Sequence, residues 1–354
     1  MAADDVTTIR IGLVQLTDMA PVFVAEAKGF FAAERVQASL SVEPSWANIA
    51  DKLTYRALDA AVMLVPLAFA VALGLRGAGT PLVVPLSISQ NGNALTVSPA
   101  VAAAIGPDIS DVMAVGRRLA ALVAAGGPRL RIAVVHAYSS HDLLLRYWLA
   151  ASGIDPVGQV ELVVVPPVDM VAALEAGEID GFCAGAPWGA VATQQGVGRT
   201  ILVSSAIWQD HPEKCFGVTA DWAERHPDGL QAVLRALLRA QQYCDDPANA
   251  EEIAQLLSGA DRLGVPAAAL RASLPGAAPD SGVDISRFAG AAGVPRLEHA
   301  AWYLDQMARW GRFGAEVDRA ALARAVYRPD LYEHAAGMKI APEAGPARFC
   351  DGAI

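Results

Sequence analysis

The chain has 354 residues, of which 54% are hydrophobic and 18% are charged, and its formal net charge is −10. This composition excludes a disordered chain and is typical of compact α/β proteins with room for two or more domains. An acidic chain is also a poor general binder of nucleic acid, because neutralising phosphates requires clustered Lys and Arg. We therefore expect no direct nucleic-acid partner.

The N-terminal stretch, MAADDVTTIRIGLVQL, does not have the pattern of an export leader. It lacks a basic segment that is followed by an apolar segment and a cleavage site of small residues. The longest apolar run, 60–75, contains Pro66 and is too short for a membrane span, so it predicts a strand followed by a helix. These features favour a cytoplasmic protein with no membrane partner. A mature form that had lost its leader and gained a new Met would look the same.

The first part of the chain alternates strands and helices. Apolar runs predict buried strands at 8–16, 38–44, 60–66 and 81–89. A helix over 20–36 is expected to be capped by Thr17 and Asp18, with Pro21 in its first turn, and a second helix follows Trp46. The fourth strand ends in an Asn-Gly turn. Such alternation is typical of parallel sheets with crossover helices.

The same plan returns after residue 109. A helix over 109–125 precedes predicted strands at 130–136, 160–167 and 181–188. The two halves align at a constant offset of 121, which matches Arg10 with Arg131, Leu53 with Leu174, Asp59 with Asp180 and Pro66 with Pro187. Shared periods are common among α/β units, which is the alternative explanation. We favour an internal duplication, because the register holds without a gap across a β-α-β-α-β unit.

After Gly198 the chain crosses back. Strand-like segments at 201–208 and 212–217 are followed by helices and a C-terminal tail. We assign residues 1–98 plus 200–354 to lobe one and 99–199 to lobe two. Ligands of open α/β sheets bind at the carboxyl ends of the strands, so the sequence predicts a ligand cleft between the two lobes.

The sequence contains no recognisable catalytic motif. The nucleophile elbow, the P-loop, the dinucleotide-binding glycine pattern and the zinc-protease helix are all missing. The four cysteines are spread along the chain and have no spacing that suits zinc: Cys183, Cys215, Cys244 and Cys350. We therefore expect reduced, mostly buried thiols and no metal, with disulfides as the alternative. We also expect no enzymatic activity, although missing motifs are weak evidence, since many active sites have no local signature.

Seven side chains stand at predicted strand ends or turns, where they can converge on a ligand: Trp46, Gln90, Asn91, Asn93, His141, Trp188 and Lys214. His141 lies at a helix N-terminus, which favours an anion, and Lys214 offers a counter-charge. Trp46 offers an indole N–H and a flat wall. Each has a plainer alternative, namely a capping histidine, a solvated lysine and a core tryptophan. Together they suit a small planar oxyanion.

Eight segments carry a family resemblance over nearly the whole chain: LTDMAPVFVAEAKGFF, PSWANIADKL, DAAVMLVPLAFA, VVPLSISQNGNALTVS, HDLLLRYWLAASGIDP, GAPWG, PEKCFGVTADWAERHP and RPDLY. In these segments the chain resembles the nitrate- and bicarbonate-binding proteins of ABC importers. The resemblance implies an α/β, two-lobed periplasmic-binding-protein-like (type II) fold with a ligand cleft between the lobes.

The same resemblance implies roles for particular residues. In nitrate-binding members the residues that match Trp46, the Gln90–Asn93 turn, His141 and Lys214 line the pocket. In bicarbonate-type relatives the lysine position tends to be acidic and calcium enters the site, so Lys214 favours nitrate or nitrite and no metal. The chain departs from the common family pattern at Met19 and Ala186, where the family often has cysteine and glutamate. It departs again at its end, where Phe349-Cys350-Asp351-Gly352 replaces the family's F-F-D-G.

Three functions follow from the sequence. The resemblance includes leaderless cytosolic nitrate/nitrite sensors of the NasS type, which pair with an RNA-binding antiterminator of the ANTAR class. The leading hypothesis is such a sensor. The second is an exported substrate-binding subunit of a nitrate ABC transporter. The third is an enzyme with Cys183 or Cys215 as nucleophile, which their apolar surroundings disfavour.

Overall fold

The computed structural model describes residues 6–277, 283–342 and 347–352. Ten strands lie in these ranges: β1 Thr7–Leu13, β2 Val36–Val42, β3 Ala60–Leu64, β4 Leu82–Ser87, β5 Asn93–Val97, β6 Arg131–Val134, β7 Glu161–Val164, β8 Gly181–Gly185, β9 Arg199–Val203 and β10 Lys214–Thr219. The α-helices of the described ranges are α1 Ala20–Ala27, α2 Phe30–Ala33, α3 Trp46–Thr54, α4 Val65–Ala72, α5 Pro99–Ile105, α6 Val112–Ala124, α7 Ser140–Ala151, α8 Met170–Glu175, α9 Trp188–Gln194, α10 Ala220–Arg225, α11 Pro227–Asp245, α12 Ala250–Ser258, α13 Ala267–Arg271, α14 Leu297–Arg309, α15 Arg319–Val326 and α16 Pro329–Ala336.

The strands form two five-stranded sheets, one in each lobe. The first has the order β2-β1-β3-β10-β4 and the second has the order β7-β6-β8-β5-β9. In each sheet the first three strands are parallel, and the fourth strand runs antiparallel to its neighbours. The chain passes from one sheet to the other between β4 and β5 and returns between β9 and β10. The two-lobed α/β prediction is confirmed.

Sheet membership differs from the sequence-based division at its edges. That division placed residues 1–98 and 200–354 in lobe one. However, Asn93–Val97 pairs with β8 and β9, so this strand and Arg199–Val203 belong to the second sheet. The reason is that β5 inserts between two strands that follow it by about a hundred residues, and no local pattern encodes such a pairing.

The two halves share hydrogen bonds at the offset of 121. The backbone N–H of Arg10 donates to Asp59 Oδ2 at 2.9 Å, and that of Arg131 donates to Asp180 Oδ2 at 2.7 Å. In both lobes the backbone N–H of the aspartate donates back to the carbonyl of the arginine. Together with the repeated strand order, these contacts support the internal duplication.

The helix predicted over 20–36 is divided into two. Helix α1 ends at Ala27, and α2 begins at Phe30, because Gly29 adopts a left-handed backbone conformation with φ of +69°. Strands β3, β4 and β10 are buried along their whole length. Nowhere in the described ranges is a helix both long enough and apolar enough to span a membrane.

Candidate anion-binding site

Helices α1 and α7 follow β1 and β6, at the edge where the two lobes meet. Ser139 caps α7, since its Oγ accepts a hydrogen bond from the backbone N–H of Asp142 at 3.0 Å. Helix α1 has no side-chain cap and follows a 3-10 turn at Thr17–Met19, so the capping predicted for Thr17 and Asp18 is wrong. The carboxylate of Asp18 lies instead in a buried cluster of charged groups.

Lys214, the first residue of β10, is fully buried between two carboxylates. Its Nζ lies 2.6 Å from Glu213 Oε1 and 3.0 Å from Asp18 Oδ2. Burial alone lowers the pKa of Lys214, but the two carboxylates outweigh burial and raise this pKa above its ordinary value. The ammonium therefore stays charged at neutral pH, inside the protein and between the lobes.

Glu213 collects donors from both lobes. Its Oε1 accepts hydrogen bonds from Lys214 Nζ at 2.6 Å and from Ser140 Oγ at 2.7 Å, and its Oε2 accepts one from Asn93 Nδ2 at 2.6 Å. Burial opposes ionisation of this carboxyl, but Lys214 and two nearby histidines lower its pKa to about 2. Glu213 is therefore an ionised internal anion that joins lobe one to lobe two.

Asp18 has far fewer partners than Glu213. Apart from the ion pair with Lys214, neither oxygen of its carboxylate accepts a well-aligned hydrogen bond from a described residue. Burial raises the pKa of Asp18, Lys214 lowers it, and the like charge of Glu213 raises it again, so that the net change is upward. The backbone of Gly185 approaches closely, because a Cβ there would lie 3.4 Å from Asp18 Oδ2.

Trp46 and His141 bring unpaired polar atoms to the same place. Trp46 begins α3, and its ring lies 5.7 Å from Lys214 Nζ. Its Nε1 and both ring nitrogens of His141 are buried and have no hydrogen-bond partner among the described residues. Burial lowers the pKa of His141 to about 3, so its ring is neutral at pH 7. Its Nδ1 lies 3.6 Å from Glu213 Oε1. Unpaired buried polar atoms are uncommon in proteins, and a bound water or ion is one explanation for them.

The space beside His141 is small. A cavity of about 10 Å³ is lined by this histidine together with Asn93, Cys183 and Ser204. That volume is close to the least that holds one water molecule. The space beside His141 therefore has no room for a polyatomic anion in this structure.

The other predicted site residues lie at the edges of this cluster. The backbone of Gln90 pairs with that of Arg287, and Gln90 lines a separate surface cavity of about 730 Å³. Asn91 has a left-handed backbone and donates weakly, over 3.5 Å, to Asp210 Oδ1. Trp188 begins α9, since the strand predicted over 181–188 ends at residue 185. Its Nε1 donates to a backbone carbonyl of lobe one, that of Gln15, at 3.1 Å. The roles of Gln90, Asn91 and Trp188 in ligand binding stay predictions.

Further contacts hold the two lobes together around the cluster. Arg312, which follows α14, forms an ion pair with Asp142 of α7. A second contact joins Arg76 to His136: Arg76 Nη1 lies 2.6 Å from His136 Nε2, and burial together with this arginine lowers the pKa of the histidine to about 4. Since arginine only donates, the neutral ring of His136 accepts this hydrogen bond.

The cysteines lack the surroundings of a nucleophile. Cys183 and Cys215 are buried, and burial raises the pKa of both thiols far above the ordinary value. Within the residues that the structure describes, no group of three or more His, Cys, Asp or Glu is arranged to hold a metal ion.

A two-lobed fold with a buried polar cluster between its sheets defines a substrate-binding protein of the periplasmic-binding-protein class. The profile of the NMT1-like family matches residues 2–258. The chain belongs to this family.

Curated relatives include subunits of two kinds of importer. The chain is 42% identical over 308 residues to the bicarbonate transport ATP-binding protein CmpC of Synechococcus elongatus, covering 86% of this chain and 45% of CmpC. It is 31% identical over 376 residues to the nitrate/nitrite binding protein NrtA of Synechocystis, covering 99% of this chain and 82% of NrtA. The chain thus spans about half the length of the ATP-binding relatives it matches.

Solved structures agree with the fold. The crystal structure of the periplasmic nitrate-binding protein NrtA from Synechocystis has a TM-score of 0.90 and 30% identity, covering 98% of this chain and 95% of NrtA. The ligand-binding component of an ABC-type import system from Staphylococcus aureus has a TM-score of 0.73 at 17% identity, covering 93% of this chain and 99% of that one. The second likeness concerns the fold alone.

Proposed function

We propose that this protein binds nitrate or nitrite between its lobes and acts as a cytosolic sensor that controls an RNA-binding antiterminator of nitrate assimilation. The observation that carries the ligand proposal is the buried cluster at the lobe interface. It combines the charged ammonium of Lys214 with the unpaired donors of Trp46 and His141. The likeness to nitrate-binding NrtA supports the same ligand class.

The chemistry of the cluster suits a planar monoanion. Nitrate and nitrite are weakly hydrated acceptors, and a neutral indole N–H, a neutral imidazole N–H and one ammonium supply donors without excess positive charge. Helix α7 adds its N-terminus at Ser140, next to His141, where the helix dipole favours negative charge. These groups hold a small anion without a metal ion.

Regulation would follow from lobe closure. Contacts such as Arg312 with Asp142, and Trp188 with Gln15, exist only while the lobes touch, so closure changes the surface that the protein offers to a partner. An anion biases this equilibrium by as much as it binds the closed form better than the open form.

Calorimetry with nitrate, nitrite, bicarbonate and chloride tests the ligand. We expect nitrate or nitrite to bind, and Lys214→Ala or His141→Ala to weaken binding by about 1–3 kcal/mol for each lost hydrogen bond. Lys52→Ala is the matched control, because Lys52 pairs with Glu43 within lobe one. No heat with millimolar nitrate or nitrite contradicts the ligand proposal, and a response to bicarbonate alone reassigns the ligand.

The sensor role is tested separately. The mass of the complex with the antiterminator, measured by light scattering, should change when the anion is added. An unchanged mass contradicts regulation of this partner. The second candidate, the exported subunit of a nitrate importer, is supported by the name and fold of periplasmic NrtA. Cell fractionation separates the two, since an exported subunit is recovered outside the cytoplasm.

A further inference from the structure

The buried charge cluster has one ammonium for two carboxylates. Lys214 Nζ lies within ion-pair distance of both Glu213 and Asp18. Glu213 accepts two further hydrogen bonds, from Ser140 Oγ and Asn93 Nδ2. Its negative charge is therefore stabilised even when Lys214 also pairs with another anion. The carboxylate of Asp18 depends on Lys214 for charge compensation.

An anion that enters the cleft competes with Asp18 for the same ammonium. If Asp18 and the anion are both negatively charged, their charges and that of Glu213 face a single lysine in a site from which water is excluded. Each carboxylate oxygen of Asp18 then repels the anion. Protonation of Asp18 removes this repulsion. It also converts a carboxylate oxygen of Asp18 from an acceptor into an O–H donor. Nitrate has no proton to donate, so it can pair only with a donor.

We propose that Asp18 is itself a ligand-binding residue, which takes up one proton when an anion occupies the cleft and donates its carboxyl O–H to that anion. The inference rests on the proposed anion-binding function. It adds Asp18 to the binding residues. The carboxyl O–H of Asp18 donates to the anion and so favours anions that carry no proton of their own.

The groups around Asp18 explain why this carboxyl carries the proton. Lys214 and Glu213 face it from β10 and the preceding residue, and Ser89 adds a hydroxyl group. Two glycines also lie near Asp18, since Cβ atoms built on Gly185 and Gly92 would lie 3.4 and 3.7 Å from its two oxygens.

The neighbouring titratable groups do not take its place. Glu213 is held ionised by its donors, with a pKa lowered to about 2, whereas burial and Glu213 together raise the pKa of Asp18. His141 lies on the lobe-two side, and its burial keeps the ring neutral. The ring of His211 faces Glu213 Oε2 at 3.7 Å. The coupled proton therefore belongs to Asp18.

Calorimetric titration with nitrate between pH 6 and pH 9 tests the inference. Each titration is run in two buffers with different ionisation enthalpies, so that the difference in heat counts the protons taken up. We expect uptake to approach one proton per bound nitrate towards the alkaline end, with affinity falling up to tenfold for each pH unit. Asp18→Asn should bind nitrate with no proton uptake and no such pH dependence.

Glu43→Gln is the matched control. Glu43 is also buried and paired with a lysine, but its partner Lys52 lies within lobe one, so this variant should keep the proton uptake of the parent protein. Nitrate binding to the parent protein without proton uptake overturns the inference alone. A parent protein that binds no nitrate or nitrite overturns the proposed function with it. If Asp18→Asn fails to fold, as melting without ligand would show, the heats of the parent protein decide.

Discussion

Replacing Glu213 by glutamine tests whether one internal carboxylate holds the lobes together. Glu213 accepts hydrogen bonds from Lys214, Ser140 and Asn93, the last two on lobe two. A glutamine side chain has a single acceptor oxygen, so at least one of these donors would face its NH2 group. We expect Glu213→Gln to destabilise the closed form and to separate the lobes.

The magnitude follows from the pKa of Glu213. Its carboxyl titrates near 4.5 when exposed and at about 2 in the folded protein. This difference corresponds to about 3 kcal/mol of stability. That value lies at the low end of the cost of breaking a buried ion pair, as expected when the lysine keeps its second carboxylate. With about 2.1 cal/mol/K of unfolding entropy per residue over 354 residues, the melting temperature should fall by about 4 °C.

The pH dependence gives the same prediction a second test. Because the folded pKa of Glu213 is lowered, its stabilisation is complete above pH 4.5 and is lost as the pH falls towards 2. The melting difference between the parent protein and Glu213→Gln should therefore shrink as the pH is lowered from 7 to 3.

A control separates lobe closure from the loss of any buried carboxylate. Glu43→Gln removes a buried carboxylate that Lys52 and Ser41 contact within one lobe. Small-angle X-ray scattering should show a larger radius of gyration for Glu213→Gln and no change for Glu43→Gln. Equal melting of Glu213→Gln and the parent protein at pH 7, or an unchanged radius, would refute the reasoning.

Three further predictions concern other parts of the site. Trp46→Phe keeps an aromatic ring, although a smaller one, but removes the unpaired N–H, so nitrate should bind about 0.5–1.5 kcal/mol more weakly by calorimetry; an unchanged affinity would place the indole N–H outside the ligand contacts. Burial and Arg76 lower the pKa of His136 from 6.5 to about 4, so urea unfolding should show stability falling as the pH drops through this interval. His136→Gln should flatten that profile, and a profile equal to that of the parent protein would show that another group titrates. Cys183 and Cys215 should resist iodoacetamide in the folded protein, whereas rapid alkylation of either, blocked by a ligand, would favour the enzyme hypothesis.

Much of the fold was predictable because its signals are local. Apolar runs bounded by glycine and proline located the parallel strands, and the equal offset of Arg10 with Arg131 and of Asp59 with Asp180 indicated two related lobes. The antiparallel strand Asn93–Val97 was assigned to the wrong lobe, because its partners follow it by about a hundred residues. Local sequence predicts the strand but not the sheet in which it pairs.

The site was predictable only in part, for a related reason. Asn93, His141 and Lys214 were singled out as donors, and the structure brings all three to the carboxylate of Glu213. Glu213 itself was missed, although it stands directly before Lys214, because an acid beside a lysine on a strand normally points to the opposite face. Asp18 was missed because its sequence position matches a helix cap, and only the folded chain brings it to Lys214.

The duplication explains how the cleft divides its chemistry. At the offset of 121, Asp18 of the turn before α1 corresponds to Ser139, which caps α7, so the two lobes present related turns to each other. The lobe-one turn carries a charge that pairs with Lys214, whereas lobe two contributes the neutral donors Ser140 and His141. The ammonium of the site therefore belongs to lobe one, and the short-range hydrogen bonds of lobe two are added only on closure. Because hydrogen bonds weaken steeply with distance and misalignment, this division makes closure the step that depends on the shape of the anion.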